Sequence, residues 1–174
     1  MSAISEVIEA PLTRDALAER YRQMCSDPRF ANLPGKVELD VWGRILMSPA
    51  SNVHGILQSR LVQRLQPLAG QALVEASVTT SIGLLVADVA WASATFMRDH
   101  GVETPFTVAP ELCVEVASPS NSMKELREKI EAYLETGALE GWIVFPQSRR
   151  IEIYGKSGLL QLSAYVIALD GLFD

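Results

Sequence analysis

The chain has 174 residues, a formal net charge of −6 and a pI of about 5.0. This length fits one domain with a full core, and 48% hydrophobic and 21% charged residues are an ordinary balance for a globular protein. The acidic charge counts against a protein that binds nucleic acid through overall positive charge, so contact with DNA would need a local basic face or a bound metal.

The first half of the chain predicts two helices, a hairpin and a pair of strands. A helix begins after Thr13, a typical N-cap residue, and ends near Ser26, before Pro28. The further elements are a hairpin over Val37–Asp40 and Arg44–Met47, a helix over Asn52–Leu65, and strands over Leu73–Ser81 and Leu84–Ala92. The segment from Ser93 to Pro110 is predicted to be an irregular connection.

The second half predicts a strand, a capped helix and a second hairpin. Ser122 and Glu125 form the S-x-x-E pattern of a capping box, and Gly137 is a typical C-terminal cap, so a helix is predicted from about Met123 to Thr136. The predicted strands are Leu112–Ala117, Trp142–Phe145 and Arg150–Tyr154. From the second helix onward, the order helix, strand, strand, strand, helix, strand predicts an α/β domain around a mixed sheet.

Targeting and redox features predict a cytoplasmic protein. The longest apolar run, Ile82 to Ala92, is shorter than the roughly 18 residues that cross a bilayer and contains Asp88. The segment from Met1 to Leu12 lacks the basic-then-apolar layout of a secretion signal. Cys25 and Cys113 are too few for a disulfide framework or a zinc cage, so we expect reduced thiols and no membrane contact.

Two acidic residues, Asp88 and Glu115, stand inside apolar strands. An isolated carboxylate in such a strand has a large desolvation cost unless a partner compensates it. Strand alternation predicts that Val86, Asp88 and Ala90 share one face. Carboxylates from neighbouring strands can bind a hard cation such as Mg²⁺, which prefers oxygen ligands. The alternative is that each acid lies at a sheet edge facing water, or in a structural ion pair.

The predicted helix after Glu115 carries a candidate cation. Glu125, Lys129 and Tyr133 recur at intervals of four residues and therefore share a helix face. Lys129 can reach back toward Glu115, where it would orient an attacking water or stabilise charge on a phosphate. The alternative is an exposed pair of Glu125 and Lys129, with Tyr133 packing beside it.

These segments resemble a known nuclease superfamily. Ala87-Asp88-Val89 resembles the P-D-V element of PD-(D/E)XK nucleases, and P-E-L-C-V-E-V-A-S-P-S, from Pro110 to Ser120, closely resembles a segment of one branch, the Uma-two family of restriction endonuclease-like proteins. The further matching positions are Glu38-Leu39, Gly43, Met47-Ser48-Pro49, His54, Glu125, Lys129, Tyr133, Gly137 and the E-G-W-I-V run of residues 140–144. The resemblance covers about residues 37–154.

The resemblance implies a restriction endonuclease-like core, at about residues 37–154 of a single domain spanning residues 1–174. It implies that Asp88 and Glu115 bind Mg²⁺ or Mn²⁺ and that Lys129 assists. The implied accessory positions are Glu38, His54, Glu125 and Tyr133. A lone histidine at a helix start is more often a cap or packing residue, and this interpretation stays open for His54.

Three positions depart from the family pattern. Ala87 stands where the superfamily usually has a structural proline, and Glu125 stands where the family usually has aspartate. Glu115-Val116-Ala117 lacks the lysine of the usual E-x-K motif. In this family, the resemblance implies, the lysine lies on the helix that follows the strand. Lys129 is therefore the corresponding residue.

The resulting expectation is a Mg²⁺-dependent endonuclease that hydrolyses DNA phosphodiester bonds. One alternative is a non-enzymatic nucleic-acid-binding or assembly module that retains the nuclease fold, which the acidic pI and the displaced lysine favour. A structural homodimer without a nucleic-acid role is another. Loss of metal binding in an Asp88 variant would favour the enzyme over both alternatives.

Overall fold

A computed structural model describes residues 10–31, 33, 36–48 and 51–174. The helices are α1 (Arg14–Ser26), α2 (Asn52–Leu65), α3 (Ala94–His100) and α4 (Met123–Thr136). The strands are β1 (Lys36–Leu39), β2 (Ile45–Ser48), β3 (Gly70–Thr80), β4 (Gly83–Ser93), β5 (Leu112–Val116), β6 (Glu140–Phe145), β7 (Arg150–Gly155) and β8 (Gly158–Leu160). Pro49, used in the family resemblance, and the first nine residues, used in the argument about a secretion signal, lie outside these ranges.

Local capping explains where the longer helices begin. Thr13 caps α1 by accepting a hydrogen bond from the Ala16 N–H, and Ser51 caps α2 in the same way. At α4, Ser122 and Glu125 satisfy each other's backbone N–H groups, which confirms the predicted capping box. The predicted bounds of α2 and α4 are confirmed. Across the described ranges, each helix is too short or too polar to cross a bilayer.

The connection between β4 and β5 is more regular than its sequence indicates. The Ser93 side chain accepts a hydrogen bond from the Phe96 N–H and starts α3, so the prediction of an irregular segment is wrong for its first part. Phe96 is buried, and its ring centroid lies 5.3 Å from that of Phe106. A helix of seven residues has too few positions to display a clear apolar periodicity, which explains why the sequence did not reveal it.

The strands form one mixed sheet in the order β2-β1-β4-β5-β6-β7-β8, with β3 also paired to β4. β5 and β6 are parallel and α4 connects them, whereas the other pairings between described strands are antiparallel. This arrangement confirms the predicted α/β class and its mixed sheet.

Helices cover both faces of the sheet. The side chains of β4 do not alternate regularly between these two faces. The face beneath α3 and α4 receives Leu85, Ala87, Ala90 and Ala92 from β4. The opposite face receives Leu84 and Val86 beneath α1 and Val89 beneath α2. The strict alternation of side chains along β4 therefore shifts by one residue between Ala87 and Ala90.

The shift occurs at Asp88. Glu75, the residue of β3 that stands opposite Asp88, has a left-handed φ of 52°, and the paired register omits both residues. The prediction that Val86, Asp88 and Ala90 share one face is therefore wrong, because the alternation of side chains shifts by one residue at Asp88. A non-glycine residue in this conformation costs free energy, a feature that often accompanies functional sites.

The remaining edge of β4 is divided between two strands. β1 pairs with it only through Leu39 and Leu84, at its start, whereas β5 pairs with Val89–Trp91 near its end. Between these two contacts, β1 and β5 diverge and leave an opening, which we call the fork. The candidate site lies there.

Candidate active site

Side chains replace the missing backbone partners in the fork. The Val86 N–H donates to Glu38 Oε1 at 2.9 Å, and the Val86 carbonyl accepts from Lys36 Nζ at 2.9 Å. On the other arm, the Val116 N–H donates to Asp88 Oδ2 at 2.7 Å. The acids that the sequence places in apolar strands therefore complete the sheet locally and gain hydrogen bonds that offset part of their desolvation.

Asp88 and Glu115 lie on the adjacent strands β4 and β5, with 1% and 3% of their surfaces exposed. Lys36 Nζ lies 2.7 Å from Asp88 Oδ1 and 3.6 Å from Glu115 Oε2. The two carboxylates are thus close enough to share one cation, as the sequence predicts. The cation that they share in this structure is a lysine ammonium.

Each carboxylate has one oxygen held by a neutral donor and one facing the ammonium. Asp88 Oδ2 accepts from the Val116 N–H, and Oδ1 faces Lys36. Glu115 Oε1 accepts from the buried Tyr133 hydroxyl at 2.8 Å, and Oε2 faces Lys36. The neutral donors fix the side-chain rotamers, so the two remaining oxygens converge on one position.

Lys129 enters the site from α4. Its Nζ lies 2.7 Å from both carboxylate oxygens of Glu38 and 3.7 Å from Glu115 Oε2. The predicted reach of Lys129 toward Glu115 is therefore confirmed, although its nearest partner is Glu38. Glu38, which the resemblance suggests as a further acid, is buried and holds the lysine in this position.

His54 approaches Asp88 from the first turn of α2. Its Nε2 atom lies 3.1 Å from Asp88 Oδ1, and Ser51, rather than His54, caps the helix. Four residues later, Gln58 Nε2 donates to the Asp88 carbonyl at 3.2 Å. Between the two interpretations of His54, the geometry favours a contact with the site over a capping role.

Glu125 lies on the same helix as Lys129 but is occupied elsewhere. Its carboxylate accepts from the Ser122 N–H at 2.8 Å in the capping box, and the residue is exposed. The backbone hydrogen bond from Ser122 lowers the pKa of Glu125. This contact explains its presence at the helix start, and we propose no chemical role for it.

Lys36 is the site residue that the sequence analysis did not identify. It begins β1 two residues before Glu38, so both side chains lie on one face of the strand. A lysine two positions from a candidate acid on a predicted strand is the signal that could have indicated it. The predicted strand began at Val37, one residue too late to include the lysine.

The charges in the cluster influence one another strongly. Burial raises the pKa of the Asp88 carboxyl, but the hydrogen bond from His54 and the charge of Lys36 outweigh burial and lower this pKa to about 2. Burial raises the pKa of Glu115, against the opposing effect of Lys36 and Lys129. Burial lowers the pKa of Lys36, but the surrounding carboxylates raise it above its ordinary value. Lys36 therefore remains a cation at neutral pH.

The donor atoms around Lys36 Nζ fit a hard divalent cation. They are one oxygen each from Asp88 and Glu115 and the carbonyl oxygen of Val86, and Mg²⁺ prefers oxygen ligands together with waters. Within the described ranges, no three side chains of the types His, Cys, Asp and Glu are arranged to hold a metal ion. These three donors therefore combine two carboxylate oxygens with one backbone carbonyl oxygen.

A cleft of about 560 Å³ lies beside the carboxylates. His54 and Val116, which both contact Asp88, form part of its wall. Phe145 also lines the cleft, and Ser118 and Asn121 contribute polar groups. The cleft therefore adjoins two residues that contact Asp88.

Comparison with protein families gives one match over most of the chain. Residues 18–171 match Uma2, which is described as a family of putative restriction endonucleases. The chain belongs to the Uma2 family. This match confirms the resemblance to the Uma-two family predicted from the segments around Asp88, Glu115 and Lys129. No match was found among curated proteins.

A solved structure is similar to this Uma2 protein over most of both chains. It is the crystal structure of a putative nuclease belonging to DUF820 from Anabaena variabilis ATCC 29413. The TM-score is 0.66 at 19% sequence identity, and the alignment covers 94% of this chain and 98% of the other. At this identity the likeness establishes a shared fold, which agrees with the predicted nuclease-like core.

Proposed function

We propose that this Uma2 protein is a divalent-metal-dependent endonuclease that hydrolyses DNA phosphodiester bonds. The observation that carries the proposal is the convergence of Asp88 and Glu115 on one cation position, with Lys129 beside it. The description of the family and its nuclease-like fold support the same reaction class.

Asp88, Glu115 and the Val86 carbonyl would hold Mg²⁺ or Mn²⁺ in this proposal. A metal ion bound there would lower the pKa of a water molecule and stabilise charge on the phosphate. Tyr133 and the Val116 N–H position the carboxylates, since each fixes the oxygen that faces away from the cation. His54 contacts the cation-facing oxygen of Asp88 and would orient it.

Lys129 would act on the reacting groups directly. Its ammonium lies 3.7 Å from Glu115 Oε2, and Glu38 holds it there through two short contacts. A fixed positive charge beside the metal position can orient the attacking water or stabilise the developing phosphate charge. Glu38 is then a positioning residue, because it acts through Lys129.

The net charge of −6 shapes the proposed interaction with DNA. An acidic protein repels phosphate at long range, whereas a bound divalent ion offsets its local carboxylates. We therefore expect weak, salt-sensitive binding of duplex DNA that improves with Ca²⁺ relative to a chelator. Equal affinity under both conditions would show that the metal does not bridge protein and DNA.

A non-enzymatic module remains the second candidate, and one observation favours it. The carboxylates of Asp88, Glu115 and Glu38 already have lysine partners, so the buried charges are paired without a metal ion. A protein that used this cluster only to join β1, β4, β5 and α4 would show the same contacts. Metal binding separates the two candidates.

The deciding experiment is calorimetric titration of Mg²⁺ and Mn²⁺ into the wild type, Asp88→Asn and Glu140→Gln. Glu140 is a buried acid on the same sheet that lies outside the cluster, so Glu140→Gln is a matched control. Metal binding should be lost in Asp88→Asn and retained in Glu140→Gln. A wild type that binds neither metal, or an Asp88→Asn protein that binds both normally, would contradict the endonuclease proposal.

A further inference from the structure

Lys36 occupies the position at which the carboxylate oxygens converge. Its ammonium contacts Asp88 at 2.7 Å, the Val86 carbonyl at 2.9 Å and Glu115 at 3.6 Å, and lies 3.9 Å from Glu38. The side chain is only 12% exposed. These partners include all three donors that would hold a divalent cation, so the ammonium and a metal ion cannot both use them fully.

The charge balance of the cluster favours exchange over joint occupancy. The three carboxylates and two ammonium groups of the cluster together have a net charge of −1. A divalent ion that replaces the Lys36 ammonium brings this charge to zero. A divalent ion added while the ammonium stays would bring it to +1 in a buried environment, which is costly.

The structure offers Lys36 a place to move. A pocket of about 210 Å³ lies beside β1, and Lys36 forms part of its wall together with Tyr21, Cys25 and Glu75. Lysine has a long flexible side chain, so its ammonium can leave the carboxylates without movement of the strand. The carboxylate of Glu75 gives this pocket a negative group that suits an ammonium.

We propose that Lys36 is a tethered cation that competes with the divalent metal for the position between Asp88 and Glu115. The proposal rests on the metal site inferred above and adds a residue that sets its affinity. The ammonium stabilises the metal-free protein by pairing the buried carboxylates, and it weakens apparent metal affinity because it must leave first. A competing state lowers apparent affinity in proportion to its population.

The test compares Lys36→Met with the wild type by calorimetric titration of Mg²⁺ and by thermal unfolding in chelator. Methionine keeps the length of the side chain and removes its charge. We expect Lys36→Met to bind Mg²⁺ about tenfold or more tightly. Its melting temperature should fall in chelator and should rise more on Mg²⁺ addition than that of the wild type. Lys156→Met, at an exposed lysine, is the control for net charge and should match the wild type.

The outcomes separate this inference from the proposed function. Equal or weaker Mg²⁺ binding in Lys36→Met, with binding retained by the wild type, overturns the competition and leaves the metal site standing. Absence of binding in both proteins overturns both proposals. Binding by Lys36→Met alone supports the competition but contradicts the endonuclease proposal, because the wild type would then hold no metal.

A second measurement uses the wild-type protein and does not depend on the folding of a variant. Reductive methylation followed by mass spectrometry reports how accessible each lysine amine is. Mg²⁺ should raise the labelling of Lys36 several-fold relative to chelator, because the expelled ammonium leaves its buried partners. Labelling of Lys156 should not change. Labelling of Lys36 that stays constant or falls with Mg²⁺ would overturn the proposal.

Discussion

The sheet buries acidic side chains in two places and gives them different partners. On β6, Glu140 accepts hydrogen bonds from Trp142 Nε1 at 2.8 Å, Ser163 Oγ at 2.7 Å and the Ala164 N–H at 2.6 Å. All three donors are neutral, and two of them belong to the C-terminal segment. Glu140 therefore attaches that segment to the sheet.

The fork has the opposite character. Asp88, Glu115 and Glu38 lie near one another, and two of their partners are ammonium groups on long side chains. A purely structural acid gains most from fixed neutral donors, because they satisfy it without gathering like charges. The comparison teaches that burial of an acid in a strand does not mark a site. The marks are convergence with other acids and cationic partners.

The largest expected difference between the fork and the Glu140 region is in catalysis. We expect Asp88→Asn to reduce Mg²⁺-dependent cleavage of duplex DNA by more than about a hundredfold, since even loss of outer-shell partners of metal ligands costs about ten- to a hundredfold. Gel-based cleavage assays with Mg²⁺ and with chelator measure this loss. Glu140→Gln should cleave at nearly the wild-type rate. Wild-type cleavage by Asp88→Asn would mean that the fork is not the site.

The next effect concerns the lysine on α4. Lys129→Met should lower kcat by about a hundredfold through loss of a fixed positive charge near the reacting phosphate, an effect of the size seen for single charge-stabilising groups. Mg²⁺ affinity, measured by calorimetry, should change by no more than a few-fold. Lys129→Arg retains the charge and should recover part of kcat. A Lys129→Met protein with much weaker Mg²⁺ affinity but an unchanged kcat at saturating Mg²⁺ would reverse the assigned role.

For the free energy of unfolding, we expect the larger effect in the Glu140 region and the smaller effect in the fork. Glu140→Ala leaves the Trp142 and Ser163 donors without their acceptor, so it should destabilise the protein by about 2–4 kcal/mol. Glu115→Gln keeps an acceptor for Tyr133 and removes a buried negative charge, so in chelator it should change stability by less than about 1 kcal/mol. Urea denaturation measures both values. The reverse order would show that the fork is the structural region.

The smallest predicted loss of function is at the tyrosine behind the site. Tyr133→Phe removes one hydrogen bond to Glu115 Oε1 and leaves the ring in place, which should weaken Mg²⁺ binding by about tenfold. Calorimetry of the variant measures this change. An unchanged affinity would indicate that packing alone fixes the Glu115 rotamer.

Local patterns in the sequence predicted much of this molecule. Apolar spacing and capping residues predicted α2 and α4 with their bounds, because both signals act over a few residues. The polar residues Asp88 and Glu115 inside apolar strands indicated where two strands meet. The helix position of Lys129 indicated its reach toward Glu115, and the family match agrees with the motifs around all three residues.

The missing parts depend on contacts between distant segments. Lys36 lies 52 residues before Asp88, and its importance comes from where three strands place their side chains. The change of face at Asp88 depends on Glu75 of the neighbouring strand, whose left-handed conformation no local pattern indicates. The fork arises because β1 pairs with β4 at one residue only. The spacing of apolar residues along a strand does not indicate how far that strand pairs with another.

The single backbone pair between β1 and β4 has a consequence for motion. Among the described residues, β1 is joined to β4 by backbone pairing at Leu39, by hydrogen bonds of Lys36 and Glu38 to Val86 and by the Lys36–Asp88 ion pair, beside apolar packing against α1. Its local opening therefore depends on the same charges that define the fork. Amide hydrogen exchange in this hairpin should rise and fall with the occupant of the cation position, so its protection is a remote reporter of that occupant.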